Sequence, residues 1–132
     1  MKKQNVIALT SRISEQAHRF LVQELEQRGV RGIVPSHGGI MSLLFTGNLY
    51  TMKEIAEKIH RTKPTVTVLV DKLVQFGYVK KMRNAEDSRS TVLGLTEAGK
   101  KLEPVFEEVS RAMNAVVYQG LSEEEALQAE RL

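Results

Sequence analysis

The sequence predicts a mainly α-helical protein with a small β-hairpin. Apolar residues recur at spacings of three and four in several segments of the 132-residue chain, a pattern typical of amphipathic helices. Two short segments, 78–83 and 90–95, are instead rich in Val, Tyr, Thr and Leu, as strands are. The polar loop 84–89 between them suits the tip of a hairpin. The length fits one domain, and we assign 1–132 to it.

Two helices are predicted in the first third of the chain. The first covers 5–28, where apolar residues return at helical spacing, and Gly29 ends it. The second opens at Pro35 and continues to Phe45, before a turn at Gly47.

Two shorter helices follow, with a tight connection between them. Thr51 and Glu54 have the spacing of a capping box, which predicts a helix start at that point and an end near Ile59. The next helix begins at Thr62 and runs to Phe76, where a glycine stops it.

The segment after the hairpin is predicted to be helical. Thr96 is expected to cap a long helix that continues to about Tyr118. Gly120 breaks this helix, and Ser122 with Glu125 forms a second capping box for a last helix that reaches the C-terminus.

The two short helices within 51–70 have the pattern of a helix-turn-helix. Their axes must approach closely, and Ala56 is the small residue that allows this. Four apolar residues can lock the pair together, namely Ile55, Ile59, Val66 and Leu69. The turn often carries Gly and an apolar residue, whereas this chain has His60 and Arg61. With the hairpin behind it, the segment predicts a winged helix-turn-helix.

The second of these helices is expected to read DNA. If Val66, Leu69, Val70 and Leu73 point inward, the helical period fixes the opposite face. Threonines on that face can hydrogen-bond to bases, apolar groups can contact thymine methyls, and lysines suit phosphates. The predicted DNA-binding residues of this helix are Lys63, Pro64, Thr65, Thr67, Val68 and Lys72. The alternative is an ordinary solvent-facing surface on a core helix.

The hairpin is the second predicted DNA contact. A basic tip can enter a narrow minor groove, which attracts arginine. The predicted wing residues are Lys80, Lys81, Arg83, Asp87 and Arg89. Asp87 is expected to hold Arg89 or Arg83 by a charged hydrogen bond, and an exposed ion pair of negligible effect is the competing interpretation.

Charge is distributed unevenly along the chain. The net charge is only +3, but residues 60–89 hold seven Lys and Arg against three acids, whereas 97–132 hold eight acids against four bases. A basic segment of this kind suits a polyanion, and a solvated charged surface is the alternative. No apolar run approaches 18 residues and no signal-peptide pattern is present, so we expect a cytoplasmic protein.

Taken together, these motifs resemble the MarR family of bacterial transcriptional regulators. The resemblance covers nearly the whole chain. It is carried by MKEIA at 52–56, KPTVTVLVDKL at 63–73, GYV at 77–79, DSR at 87–89 and LTEAG at 95–99.

The resemblance implies a homodimer in which each subunit offers one winged helix-turn-helix to a pseudo-palindromic operator. It implies dimerisation helices at 5–30 and 97–132 around a DNA-binding core at 36–95, with the wing at 78–95. In many members the regulator is a repressor that a small ligand or an oxidant releases. Two departures are Ser88, where the family usually has a further arginine, and a last helix that is shorter than expected.

No cofactor or metal site is predicted, and an unknown small effector is left open. The chain has no Cys, which excludes a thiol switch, and its three histidines lack ligand spacing. An aromatic acid between the dimerisation and DNA-binding regions is the candidate effector, with lining residues His18, Arg19, Ser36 and His37. Each also has a plain alternative as a surface, capping or satisfied polar residue.

Two other functional classes compete with this prediction. An enzyme is disfavoured because the chain lacks a G-x-S-x-G elbow, a phosphate-binding loop and an H-E-x-x-H pair. A winged-helix module for nonspecific DNA binding or for protein–protein contact is the alternative that the residues leave open.

Overall fold

The computed structural model describes residues 3–117, which form a mainly helical domain with one small sheet. Its helices are α1 (Lys3–Gln27), α2 (Pro35–Leu44), α3 (Met52–Ile59), α4 (Lys63–Gln75), α5 (Glu97–Lys100) and α6 (Leu102–Val117). Its strands are β1 (Tyr50–Thr51), β2 (Val79–Arg83) and β3 (Thr91–Leu95). The predicted fold class is therefore confirmed. In this part of the chain, every helix is too short or too polar to cross a membrane.

The sheet is antiparallel, and its strand order is β1-β3-β2. The predicted hairpin is present as β2 and β3, with Val79 opposite Leu95 and Arg83 opposite Thr91. The third strand, β1, was not predicted, because two residues are too few to show the alternation that reveals a strand. It places the start of α3 beside the wing.

The core lies between the middle helices and the central strand. Most of its side chains come from α2, α3, α4 and β3, and α1, β2 and α6 also contribute, so these elements are fixed relative to one another. The large side chains that are less than 2% exposed are Ile40, Met41, Leu44, Ile55, Leu73, Leu93, Val66 and Val70. Three of these eight belong to α4, which is therefore anchored along its whole inner side.

The first and last described helices pack against each other beside this core. Leu25 of α1 and Val109 of α6 are both buried. Arg28, just after α1, joins the two helices, because its guanidinium lies 2.6 Å from the carboxylate of Glu24 and 3.3 Å from that of Glu108.

A single long helix after the hairpin was predicted, and the structure divides it at Lys101. Thr96 does cap the segment, since its hydroxyl accepts the amide of Gly99 at 3.0 Å. The interruption is explained by Pro104, which has no amide to donate to the carbonyl of Lys100. Proline is tolerated in a first turn, so a new helix starts instead of a continuous one. The last helix predicted beyond Gly120 lies outside the described residues.

The connector between α1 and α2 packs against the end of α4. Gly32 has a φ of +84°, and a Cβ built on it would lie 2.5 Å from Cζ of Phe76. Phe76 is the C-cap residue of α4. Only a glycine permits this close approach together with the left-handed backbone.

Candidate nucleic-acid interface

The turn between α3 and α4 is closed by backbone hydrogen bonds. His60 has φ 57° and ψ 46°, the left-handed conformation that glycine usually takes at the end of a helix. The amides of His60 and Arg61 both bond to the carbonyl of Ala56, the latter at 3.1 Å. The departure noted in the sequence is thus accommodated, because the histidine itself adopts the required conformation.

The first turn of α4 is capped by threonine and contains no acidic residue. Thr62 accepts the amide of Thr65 at 3.4 Å, and its hydroxyl donates to the hydroxyl of Thr65 at 2.9 Å. Pro64 lies in this turn, where a missing amide costs nothing. The positive end of the helix therefore faces outward without a carboxylate beside it.

The inner face of α4 agrees with the prediction. Val66, Val70 and Leu73 are completely buried, and Leu69 is half-buried. Because these four residues define one side of a 3.6-residue period, the opposite side is directed away from the core.

The outer face contains the residues that the sequence selected. Those that are exposed are Lys63, Pro64, Thr65, Val68 and Lys72. Thr67 is only half-buried, and its hydroxyl donates to the carbonyl of Lys63 at 2.9 Å. The hydroxyl proton of Thr65, by contrast, is free for an external acceptor, since Thr65 accepts from Thr62.

The alternation of β2 divides the basic residues of the wing between two sides. The ammonium of Lys81 lies 2.8 Å from the carboxylate of Asp71 on α4, so Lys81 faces α4. Arg83, two residues along, is exposed on the same side. Lys80 belongs to the other side, where it lines a groove with Leu49.

At the tip of the wing, Asp87 holds Arg89. A carboxylate oxygen of Asp87 accepts the backbone amide of Arg89 at 3.0 Å and lies 3.5 Å from its Nε. The side chain of Arg89 is nevertheless 93% exposed. The sequence left Arg89 and Arg83 as alternative partners of Asp87, and the structure pairs it with Arg89. The carboxylate shapes the loop while the guanidinium remains accessible.

The four candidate effector residues do not lie together. His18, Arg19 and Ser36 line one open hollow of about 480 Å³ between α1 and the start of α2. His37 is only 2% exposed and points into the protein, where its Nδ1 accepts the amide of Val34 at 3.0 Å. The structure therefore separates His37 from the other three.

Three residues near this surface were not selected from the sequence. Thr62 shares its hydroxyl with Thr65, and its position before the proline-containing turn was the available signal. Arg61 is exposed directly before that cap. Asp71 binds Lys81, but a pairing between a helix and a later strand leaves no mark in the sequence.

Comparison with known proteins gives a consistent result. The model of the MarR family matches residues 36–91. The HTH-type transcriptional repressor MdtR of Bacillus subtilis is 32% identical over 108 residues, which are 80% of this chain and 68% of MdtR. The B. subtilis HTH-type transcriptional regulator YfiV is 33% identical over 95 residues, 63% of this chain and 59% of YfiV, less than two thirds of its length.

Solved structures share the fold over almost the entire chain. The DNA complex of MepR from S. aureus has a TM-score of 0.81 and 27% identity, and the match covers 99% of this chain and 93% of that one. A mutant MarR from E. coli complexed with operator DNA has a TM-score of 0.82 and 19% identity, covering 99% and 95%. The chain therefore belongs to the MarR family, whose members are DNA-binding transcriptional regulators and not enzymes.

Proposed function

We propose that the chain is a repressor that recognises a pseudo-palindromic DNA operator as a homodimer. The observation that carries the proposal is the exposed face of α4, which lies opposite a fully buried side and has no acid in its first turn. Two relatives support it. MdtR is named a repressor, and the similar MepR structure is a DNA complex.

The N-terminal half of α4 enters the major groove in this proposal. Thr65 donates its free hydroxyl proton to a base acceptor, while Pro64 and Val68 contact thymine methyls. Thr67 contributes its methyl group and an acceptor lone pair, since its proton is used within the helix. The two lysines of this face, Lys63 and Lys72, bind phosphates and position the helix.

The wing contacts the neighbouring minor groove. Arg89 is its main contact, because its side chain extends almost fully into solvent from a tip held by Asp87. Arg83 and Lys81 share the side of the wing that faces α4 and bind the phosphates between the two grooves. Lys80, on the other side, adds only to the positive field.

A second copy of the chain covers the first half of α1. Four large apolar side chains are exposed along this segment, and a soluble monomer rarely leaves such a row open. They are Val6 at 50%, Ile7 at 70%, Leu9 at 43% and Ile13 at 63% exposure. Val116 near the end of α6 is another exposed apolar side chain, at 54% exposure. Burial between two copies would place two recognition helices on one duplex.

The hollow beside α2 is the proposed effector site. Arg19 supplies a cation for a carboxylate, His18 and Ser36 supply polar contacts, and Pro35 contributes an apolar wall. A small aromatic acid has the complementary groups, namely a carboxylate for Arg19 and an apolar ring for Pro35. His37 has no part in this site, because it is buried on the other side of the helix.

The decisive experiment is selection of bound sequences from a random DNA pool, followed by titration of the selected duplex. We expect an inverted repeat whose half-site centres lie about one helical turn apart. We also expect an affinity at least about 10³-fold higher than for a scrambled duplex at the same salt concentration. Recovery of no repeat, with equal affinity for both duplexes, would favour a nonspecific DNA-binding module.

Variants of α4 test the assignment of its face. Thr65→Ala should reduce the ratio of specific to nonspecific affinity, whereas Lys72→Ala should weaken binding to both duplexes by a similar factor. Lys101→Ala beside α5 is the matched control, because Lys101 is exposed and lies outside both α4 and the wing. If Thr65→Ala leaves the ratio unchanged, the assigned face is wrong.

A further inference from the structure

His37 is a buried histidine with one bonded and one unbonded ring nitrogen. It lies in the first turn of α2 and is 2% exposed. Its Nδ1 accepts the amide of Val34, the residue that caps this helix, at 3.0 Å. Its Nε2 is buried and makes no hydrogen bond within residues 3–117. The ring therefore fastens the start of α2 while one of its polar atoms remains unsatisfied.

These contacts fix where the proton is. Because Nδ1 accepts a hydrogen bond, the neutral ring must carry its hydrogen on Nε2. Addition of a second proton would place a hydrogen on Nδ1, opposite the amide of Val34. The capping bond would then be replaced by a repulsion between two donors, and the ring could not keep its present position.

The surroundings of His37 offer no counter-ion for a charged ring. Lys72 of α4 is the charged side chain that acts on it in the described part of the chain, and α1, α3 and the sheet add none. The sequence of α2 itself contains no other ionisable residue. Burial lowers the pKa of His37 below its ordinary value of 6.5. The backbone of Leu69 acts against this, Lys72 reinforces it, and the backbone of Val34 has the smallest effect and raises the pKa.

We propose that His37 makes operator binding dependent on pH, because its protonation releases the start of α2 from α4 and weakens DNA binding. The proposal rests on the proposed function, since it assigns α4 to DNA. Leu69 and Lys72 lie on α4, so the ring joins the helix that it caps to the recognition helix. Val34 also lines the proposed effector hollow, so its hydrogen bond with His37 lies beside both that hollow and α4.

Two effects of protonation oppose each other. A positive charge beneath α4 attracts DNA, but across a partly solvated distance this attraction is screened. An unpaired charge within the core, next to a lysine, is far more costly than that attraction is favourable. The ring is therefore expected to leave its place, and the loss of packing under α4 determines the direction of the change.

The first test measures affinity for the selected operator between about pH 8 and about pH 5, a range that extends below the ordinary titration of histidine because the pKa of His37 is lowered. The matched variant is His37→Gln, because glutamine at this position of a capping box can accept the amide of Val34 but does not titrate. We expect wild-type affinity to fall by roughly fivefold or more relative to that of His37→Gln. Equal pH profiles, or a wild-type affinity that rises on acidification, would overturn the proposal.

His60 serves as the control. His60→Asn retains a residue that tolerates the left-handed backbone. This variant should keep the wild-type fall in affinity. If His60→Asn abolishes it, the pH dependence belongs to His60 and not to His37.

A second test needs no substitution. The ring of His37 is titrated by NMR in the free protein and in the operator complex. Linkage requires that its pKa be lower in the complex if the neutral ring favours binding. The same pKa in both states would overturn the proposal, even where the operator binds tightly at pH 8. Absence of specific binding at about pH 8 would contradict the proposed function instead.

Discussion

Gly99 shows how a single backbone position limits packing in this fold. It lies in α5, beside the backbone of Tyr78, the residue that precedes β2. A Cβ built on Gly99 would overlap the carbonyl oxygen of Tyr78. That oxygen already accepts the amide of Thr96 at 3.1 Å, so it cannot move freely. The approach of two backbones at this point excludes any side chain.

Gly99→Ala should therefore lower the free energy of unfolding by about 1–3 kcal/mol, as overpacking does. Gly38→Ala is the matched control, because Gly38 is also helical but a Cβ there meets nothing within 4 Å. This second change should raise the free energy of unfolding by roughly 0.5–1 kcal/mol. Urea denaturation of both variants measures the two effects. Similar values for Gly99→Ala and Gly38→Ala would show that the contact with Tyr78 is unimportant.

For individual residues, the sequence predicted which side of a helix is buried better than it predicted which residues contact each other. The buried side of α4 followed from the period of Val66, Val70 and Leu73, since one helix can hide only one side. The burial of His37 could not be predicted, because α2 is apolar around most of its circumference and shows no clear polar face. The left-handed backbone of His60 was equally hidden, since nothing in its side chain requires it.

Among the elements, α3 has a start that depends on a reciprocal pair of hydrogen bonds. The amide of Thr51 donates to a carboxylate oxygen of Glu54 at 2.9 Å, and the amide of Glu54 donates to the hydroxyl of Thr51 at 3.1 Å. These bonds with Thr51 lower the pKa of Glu54 below its ordinary 4.5. The stability that ionised Glu54 contributes is thus fully present above pH 4.5 and is lost as pH falls through the lower folded pKa.

Glu54→Gln should remove this pH dependence while it preserves an acceptor for Thr51. The difference in unfolding free energy between the wild type and Glu54→Gln should shrink as pH falls below 4.5. Thr51→Ala should cost about 1 kcal/mol near neutral pH, because it removes the cap. Urea denaturation at several pH values measures both. Glu57→Gln, at an exposed position of the same helix, is the control, and the same pH dependence there would refute the assignment to Glu54.

The wing as an element is expected to contribute charge to DNA binding. Arg89→Ala should weaken operator binding and reduce the slope of log affinity against log salt by about 1, since one cation that displaces counterions from the DNA is lost. Titrations at several salt concentrations measure the slope. Lys101→Ala, at an exposed lysine beside α5, should leave the slope unchanged. An unaltered slope for Arg89→Ala would remove the wing tip from the interface.

The order of the elements was largely predictable, and the exceptions have physical causes. Pro104 divides the predicted long helix, and its missing amide was visible in the sequence. The strand β1 was not visible, because it is defined by its pairing with Leu93 and Val92 rather than by its own pattern. The same holds for the bond between Lys81 and Asp71, which joins wing and recognition helix across the fold.

At the scale of the whole molecule, the mass of the assembly in solution tests whether two copies associate. Ile13→Asp places a charge in the exposed apolar row of α1 and should convert the proposed homodimer to a monomer in sedimentation equilibrium. Leu49→Asp is the matched control, because Leu49 is 54% exposed but lies beside the wing. It should leave the mass unchanged. A dimer that survives Ile13→Asp would place the interface elsewhere.

The contact between Gly32 and Phe76 has a consequence at this largest scale. The connector follows α1, to which we assign the dimer surface, and Gly32 in this connector lies against Phe76 at the end of α4, the proposed DNA-reading helix. In the proposed dimer, we therefore expect a tilt of α1 to shift the end of α4 through the side chain of Phe76. The spacing of two protomers and the orientation of their α4 helices should then change together.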